Sequence, residues 1–323
     1  MAMASLKRKP DGKPAVNPEL TRSLATFIAH LRPEAVPRSV EGILKKALVD
    51  TVGCGLFGLT TQWARIVRQF AHEQGGPAET TMWASGGVKL SVINTVLAAG
   101  TAVHSFDFDD HSRAKIHPGA VVVPTVLALG ERQGISGKKM LAAMAAGYET
   151  MIRVSLAANP AEARMRGWHL TGTTGTFAAA AAAAVILDLD GPTTASALGL
   201  AGTQSAGLWA FNVDGAMSKR LHPGRAAQSG VMAALLAARG FHGPRFILEA
   251  EDGGFLKASS DLSHSISEGR QSPECEYCIF AARAVGSTLT GGTPAQLRDF
   301  MEAGLVKYGK LVKAAGIKAE SGN

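Results

Sequence analysis

Apolar residues recur every three to four positions through most of the first 256 residues, the spacing of helices that bury one face or several. That pattern predicts helices over residues 17–31, 37–59, 63–74, 89–103, 119–132, 137–158, 177–187 and 193–206, and another ending at residue 239. Asn17 and Pro18 suit the cap and first turn of the earliest of these, Ser136 suits a cap, and Gly134 suits a stop. Gly53, Gly55 and Gly58 put small residues on neighbouring turns, which predicts close helix contact there. Ala178 to Ala184 is a run of small residues, as in a helix buried among others at short distance. Only residues 80–84, ahead of the Gly86-Gly87 turn, read as a strand.

After about Leu256 the helical period disappears, and it returns only at Thr293-Pro294. From there Leu297, Phe300, Met301, Leu305, Tyr308, Leu311 and Val312 share one helical face. The expected organisation is a mobile tail over residues 1–16, a helical domain over 17–256, a linker or disordered junction over 257–292, and an amphipathic helix and tail over 293–323. The expected fold class is mainly α.

A chain of 323 residues with 46% hydrophobic content can bury a large core. Its net charge of +7 favours acidic partners, but several of those charges sit in the first dozen residues and no basic stripe is interleaved with aromatics. Small anions therefore fit better than nucleic acid. Cys54, Cys275 and Cys278 imply no disulfide framework, and the lone Cys275-Glu-Tyr-Cys278 lacks the further ligands that zinc needs. Residues 1–17 carry no apolar signal core, and the longest apolar run, 177–187, is too short to span a bilayer. A cytoplasmic protein without membrane partners is expected.

The densest chemistry lies between two apolar runs, in His104-Ser-Phe-Asp107-Phe-Asp109-Asp110-His111-Ser-Arg113-Ala-Lys115-Ile-His117-Pro118-Gly119. If the preceding helix continues, His104, Asp107 and His111 share a face, where a carboxylate could orient an imidazole for proton transfer. A solvated helix end is one reading, although Phe106 and Phe108 argue for partial burial. A divalent metal site for a hydrolase, on His104, Asp107, Asp110 and His111, is a second. Metal-free acid/base chemistry on an anion, with Arg113 and Lys115 supplying positive charge, is the third.

Two further clusters follow. Arg166-Gly-Trp-His169-Leu-Thr171-Gly172-Thr-Thr174-Gly175-Thr176 precedes the alanine-rich run, and either an anion-holding helix mouth or a glycine-dependent close contact would explain it. Met217-Ser-Lys219-Arg220-Leu-His222-Pro223-Gly224-Arg225 gathers cations at a helix start, where they are disfavoured unless an anion is bound.

Together the D-F-D-D segment ending in H-P, the G-W-H-L-T-G-T-T-G segment and the S-K-R-L-H-P-G-R-A-A segment resemble, in order, the motifs of the MmgE/PrpD family, which includes 2-methylcitrate dehydratase and cis-aconitate decarboxylase. The resemblance covers about residues 18–255. It implies a multi-helix domain, usually dimeric, and cofactor-free lyase chemistry (dehydration, decarboxylation or epimerisation) on a small polycarboxylate. It places active-site groups at Asp107, His117, His169 and Lys219. Arg113, Thr171, Arg220 and His222 are the candidate substrate contacts beside them, with His111 where members often carry Thr. No metal site is implied. The family's lid domain and closing helical segment are expected to be absent after about Leu256, so a self-associating remnant without turnover is the alternative. Residues 293–317 resemble the C-terminal end of tripartite tricarboxylate transporter substrate-binding proteins.

Overall fold

The computed structural model describes residues 19–260, and these are mainly α-helical. The tail, most of the 257–292 junction, the 293–317 helix, and the Asn17 and Pro18 start signals lie outside the described residues. The first helix, α1 (Leu20–His30), starts after Glu19, which makes no side-chain capping bond. A single 3-10 turn precedes α2 (Arg38–Gly58), and α3 (Gln62–Glu73) is capped by Thr61, whose side chain accepts from the Ala64 amide.

The strand signal holds for two residues. Strand β1 (Thr80–Thr81) pairs antiparallel with β2 (Lys89–Leu90), so the helix expected from residue 89 begins later. It is α4 (Val92–Val103), capped by Ser91, and it stops at His104 instead of continuing into the charged segment. Then come α5 (Gly119–Gln133), closed by Gly134 in the left-handed region, and α6 (Gly137–Ala157), capped by Ser136. The short α7 (Pro160–Met165) leads to α8 (Leu170–Ile186), and Asp190 caps α9 (Gly191–Gly202). After the single turn α10 (Phe211–Asp214), α11 (Ser218–Ala237) carries Pro223 internally. The last helix, α12 (Phe255–Ser259), runs through the expected boundary at residue 256.

Helix α8 is the axis of the fold. Every one of its residues is buried, and α5, α6, α9 and α11 pack around it. A helix apolar on all sides needs this surrounding, and its alanines let the neighbours come close. Glycines set the closest approaches. A side chain on Gly224 of α11 would lie 2.2 Å from the Leu97 carbonyl of α4, and one on Gly230 would lie 2.4 Å from the Thr176 carbonyl of α8. Of the α2 glycines, Gly55 and Gly58 face Trp83 and Ala102 at such distances, whereas Gly53 faces open space. The close crossing of α4 and α11 brings the end of one helix, His104, next to the start of the other, Lys219 and Arg220.

Candidate functional site

Between α4 and α5 the chain does not stay helical. Asp107 (φ 62°) and Lys115 (φ 58°) take left-handed backbone conformations, uncommon for residues other than glycine. As a result the three carboxylates of this segment point to different places. Asp109 turns inward, with its side chain fully buried, and lies 2.9 Å from His104 Nδ1 by Oδ2 and 3.4 Å from His117 Nδ1 by Oδ1. Asp110 turns the other way, accepting from the Gly119 amide at 2.8 Å and from the Tyr148 hydroxyl at 2.8 Å. Asp107 stays half-exposed and pairs with Lys219 Nζ, with Arg220 Nη1 at 3.5 Å.

One carboxylate therefore faces two imidazoles, and it fixes the tautomer of His104. An ionised carboxylate only accepts, so His104 Nδ1, which bonds it, carries the hydrogen, while His117 Nδ1 at 3.4 Å lies within ion-pair range of it without a hydrogen bond among the described residues. Each Nε2 is left facing the Asp107 carboxylate, at 3.7 Å for His104 and 4.0 Å for His117. His104 is completely buried, and its Nε2 has no hydrogen-bond partner among the described residues. Burial pushes the His104 pKa down, although Asp109 opposes this. For His117 the balance differs. Burial again lowers its pKa, but the contact with Asp109 and the charges of Asp109, Asp107 and Asp110 outweigh burial and hold it above the ordinary value. Burial raises the Asp109 pKa, but His104 and His117 outweigh that and hold it well below the usual carboxylate range.

The imidazoles continue in a row. Ring centroids are 4.7 Å apart for His117 and His104, 5.9 Å for His104 and His169, and 5.1 Å for His169 and His222. His169 is the residue just before α8 and is almost fully buried, with Trp209 and Phe211 set edge-on against its ring. Its Nδ1 lies 2.9 Å from Nδ1 of His222.

The structure thus gathers Asp107, His117, His169, Lys219, Arg220 and His222. It separates others. Thr171 is fully buried, and its hydroxyl accepts from the His117 amide at 3.1 Å, so it holds the backbone under His117 instead of presenting a substrate contact. His111 and Arg113 are exposed on the loop, with the His111 ring 6.2 Å from that of His117. Arg225 is also exposed and bonds Gln228. The segment from Thr171 to Thr176 is not a loop ahead of α8 but its first turns, and Gly172 and Gly175 are there for close packing against Ala206, Val121 and Ala226. The hydrolase set is not assembled, because Asp110 faces Gly119 and Tyr148 and His111 is outside. Among the described residues, His104, Asp107, Asp109 and His117 do offer donor atoms within 4.8 Å of one another. Lys219 and Arg220 already place positive charge against Asp107 there, which opposes a second cation.

Asp109 and the paired role of His104 escaped the sequence reading, which had Asp107 orienting an imidazole on a continuing helix. The signal was the second D of D-F-D-D, but only the left-handed turn at Asp107 shows which carboxylate faces inward. Trp209, which stacks under the Arg164 guanidinium at 3.6 Å and against His169, carried no sequence signal.

A mainly helical scaffold is what the resemblance to the family named above implies. The chain belongs to the MmgE/PrpD family, matching the MmgE/PrpD N-terminal domain over residues 22–267. It is similar to a cis-aconitate decarboxylase-like protein of Aspergillus oryzae, with 32% identity over 249 residues, covering 73% of this chain and 50% of that protein. The cis-aconitate decarboxylase of Homo sapiens is 32% identical over 243 residues, with 72% and 49% covered. That of Aspergillus terreus is 29% identical over 246 residues, with 74% and 49% covered. The chain spans about half the length of the curated relatives it matches. No helix among the described residues is long and apolar enough to cross a membrane.

Proposed function

We propose that this chain carries the acid/base half of a lyase site for a small polycarboxylate of the cis-aconitate or 2-methylcitrate type. The observation that carries the reading is Asp109, a buried carboxylate that hydrogen-bonds His104 and lies within ion-pair range of His117, with both Nε2 atoms facing one point beside Lys219 and Arg220. An imidazole beside a carboxylate, its pKa held up from 6.5, suits proton delivery near neutrality.

In this reading Lys219 and Arg220 anchor a substrate carboxylate, and their charge stabilises the electron density left on the adjacent carbon when a bond to that carbon breaks. In a decarboxylation the carbon–carbon bond breaks, carbon dioxide leaves, and the carbanion takes one proton from His117 Nε2. In a dehydration or epimerisation the same nitrogen, neutral, first removes the proton next to the carboxylate. His169, kept neutral by burial, is the second acid/base or hydrogen-bonding group. Asp107 contacts the cationic anchor more closely than it does either imidazole. The relatives' printed names favour decarboxylation of cis-aconitate.

We also infer a homodimer, favoured by the exposed cluster of Phe57, Phe106 and Phe108. The free Cys54 fits a reducing, cytoplasmic setting. The test of the function is to incubate the purified chain with cis-aconitate, 2-methylcitrate and citrate in deuterated water and follow the acids by NMR. Loss of carbon dioxide or water, or deuterium at the carbon next to a carboxylate, is expected. Acids unchanged after prolonged incubation would refute it.

A further inference from the structure

Lys219 Nζ, Arg220 Nη1 and the Nε2 atoms of His104 and His117 all converge on one carboxylate, and that carboxylate belongs to the chain itself. Asp107 reaches them from a residue with φ 62°, in the left-handed region that costs most side chains about 1 kcal/mol. It is also half-exposed, so its removal would leave no buried polar group of its own behind. Beside it stands His104 Nε2, a fully buried acceptor without a hydrogen-bond partner among the described residues. A set of cationic donors gathered around a surface-reachable carboxylate is how a pocket for an external carboxylate would look when filled from within.

We propose that the Asp107 carboxylate is a resident stand-in for a substrate carboxylate, filling the subsite made by Lys219, Arg220 and His117, and that a polycarboxylate binds by displacing it. This rests on the polycarboxylate reading above and deepens it by assigning Asp107 a gating part in affinity. The ligand class is fixed by the donors. A primary ammonium, a guanidinium and an imidazolium satisfy a carboxylate's two oxygens, and the space one aspartate side chain vacates is small. Because Lys219 and Arg220 are released from Asp107 as they take up the ligand, no net ion pair is gained at this point. Affinity in the native protein then depends on the ligand's other carboxylates. Selection for molecules with two or more of them follows directly, since a monocarboxylate offers only what Asp107 already supplies.

The consequence runs against the usual effect of altering a residue in a site. Taking the charge off Asp107 frees both cations, so polycarboxylate binding should tighten. Titration calorimetry with citrate and with acetate, on the native chain, Asp107→Asn and Asp107→Gly, reads this directly. Both substitutions suit a left-handed backbone, and circular dichroism confirms folding. Citrate is expected to bind both variants about two- to fivefold tighter than the native chain, the size of a partly exposed ion pair. Acetate should be measurable only in the variants. Asp214→Asn, which removes an exposed charge from α10, should leave citrate affinity unchanged, and adding Lys219→Met to Asp107→Asn should cancel the gain. Citrate bound by the native chain but equally or less tightly by both Asp107 variants would overturn the stand-in and leave the polycarboxylate reading in place. Citrate bound by none of the proteins at millimolar concentration would refute the polycarboxylate reading itself, and the stand-in with it.

Discussion

His169 and His222 meet Nδ1 to Nδ1 at 2.9 Å, so only one of the two nitrogens can carry a hydrogen while the pair holds. The accepting ring must stay neutral for this, and burial keeps the donating ring neutral as well. Burial does most of that, pushing His169 down to about 2 and His222 down to about 4, with neighbouring positive charge adding to it. The unfolded chain protonates these rings near 6.5, so below that pH it binds more protons than the folded chain, and stability falls as pH is lowered toward 4. Replacing His222 by Gln removes one ring from this balance. The urea midpoint of His222→Gln is expected to depend less steeply on pH between 6.5 and 4 than that of the native chain. Parallel slopes would mean that His222 is not held neutral.

Asp110 titrates with the opposite sign. Burial, aided by the charge of Asp109, raises its pKa to about 6 despite the bonds from Tyr148 and Gly119. The folded chain therefore binds more protons than the unfolded one between the ordinary carboxylate value and about 6, and this residue weakens the fold as pH rises through that window. Asp110→Asn, which keeps the shape and the Gly119 contact, should gain stability relative to the native chain between pH 4 and pH 7. Tyr148→Phe should lose about 1.5–3 kcal/mol at pH 7, the range for a hydrogen bond to a charged group. Denaturant unfolding of the three proteins at the two pH values measures both effects.

Glycine positions divide sharply. Gly224 lets α11 lie against Leu97 and Thr101 of α4, and a Cβ there would meet the Leu97 carbonyl at 2.2 Å. Gly224→Ala should therefore cost about 1–3 kcal/mol or more, and it should also weaken citrate binding by moving Lys219 and Arg220 away from His104. Gly53, in α2, faces nothing within 4 Å. Gly53→Ala should stabilise by about 0.5–1 kcal/mol through helix propensity alone. Thermal unfolding of the pair, with and without citrate, separates the two.

The helical period made most of the fold legible, because a helix that buries one face must repeat its apolar residues. The Ser136 cap, the Gly134 stop and the burial of the alanine run all follow from local rules, and the structure has them. What the period could not convey was where α4 stops. Lys89 and Leu90 leave the helix for a two-residue strand, and His104 ends it, since the left-handed Asp107 is incompatible with continuing. That single departure decides which of three neighbouring aspartates serves the histidines. The second cluster was legible as glycine-dependent, but its glycines pack α8 against neighbours far apart in sequence, which no local pattern displays.

The most direct test of the account is the rate of product formation from cis-aconitate by the native chain, His117→Ala and Asp109→Asn, assayed side by side with circular dichroism as the folding control. If His117 Nε2 moves the proton and the Asp109 charge helps to hold that ring protonated, His117→Ala should lose about 10²- to 10⁴-fold in turnover. Asp109→Asn should fall in the same direction, while the helical signal of both stays native. A fold-competent His117→Ala that retains turnover within about fivefold of the native chain, well under that range, would contradict it.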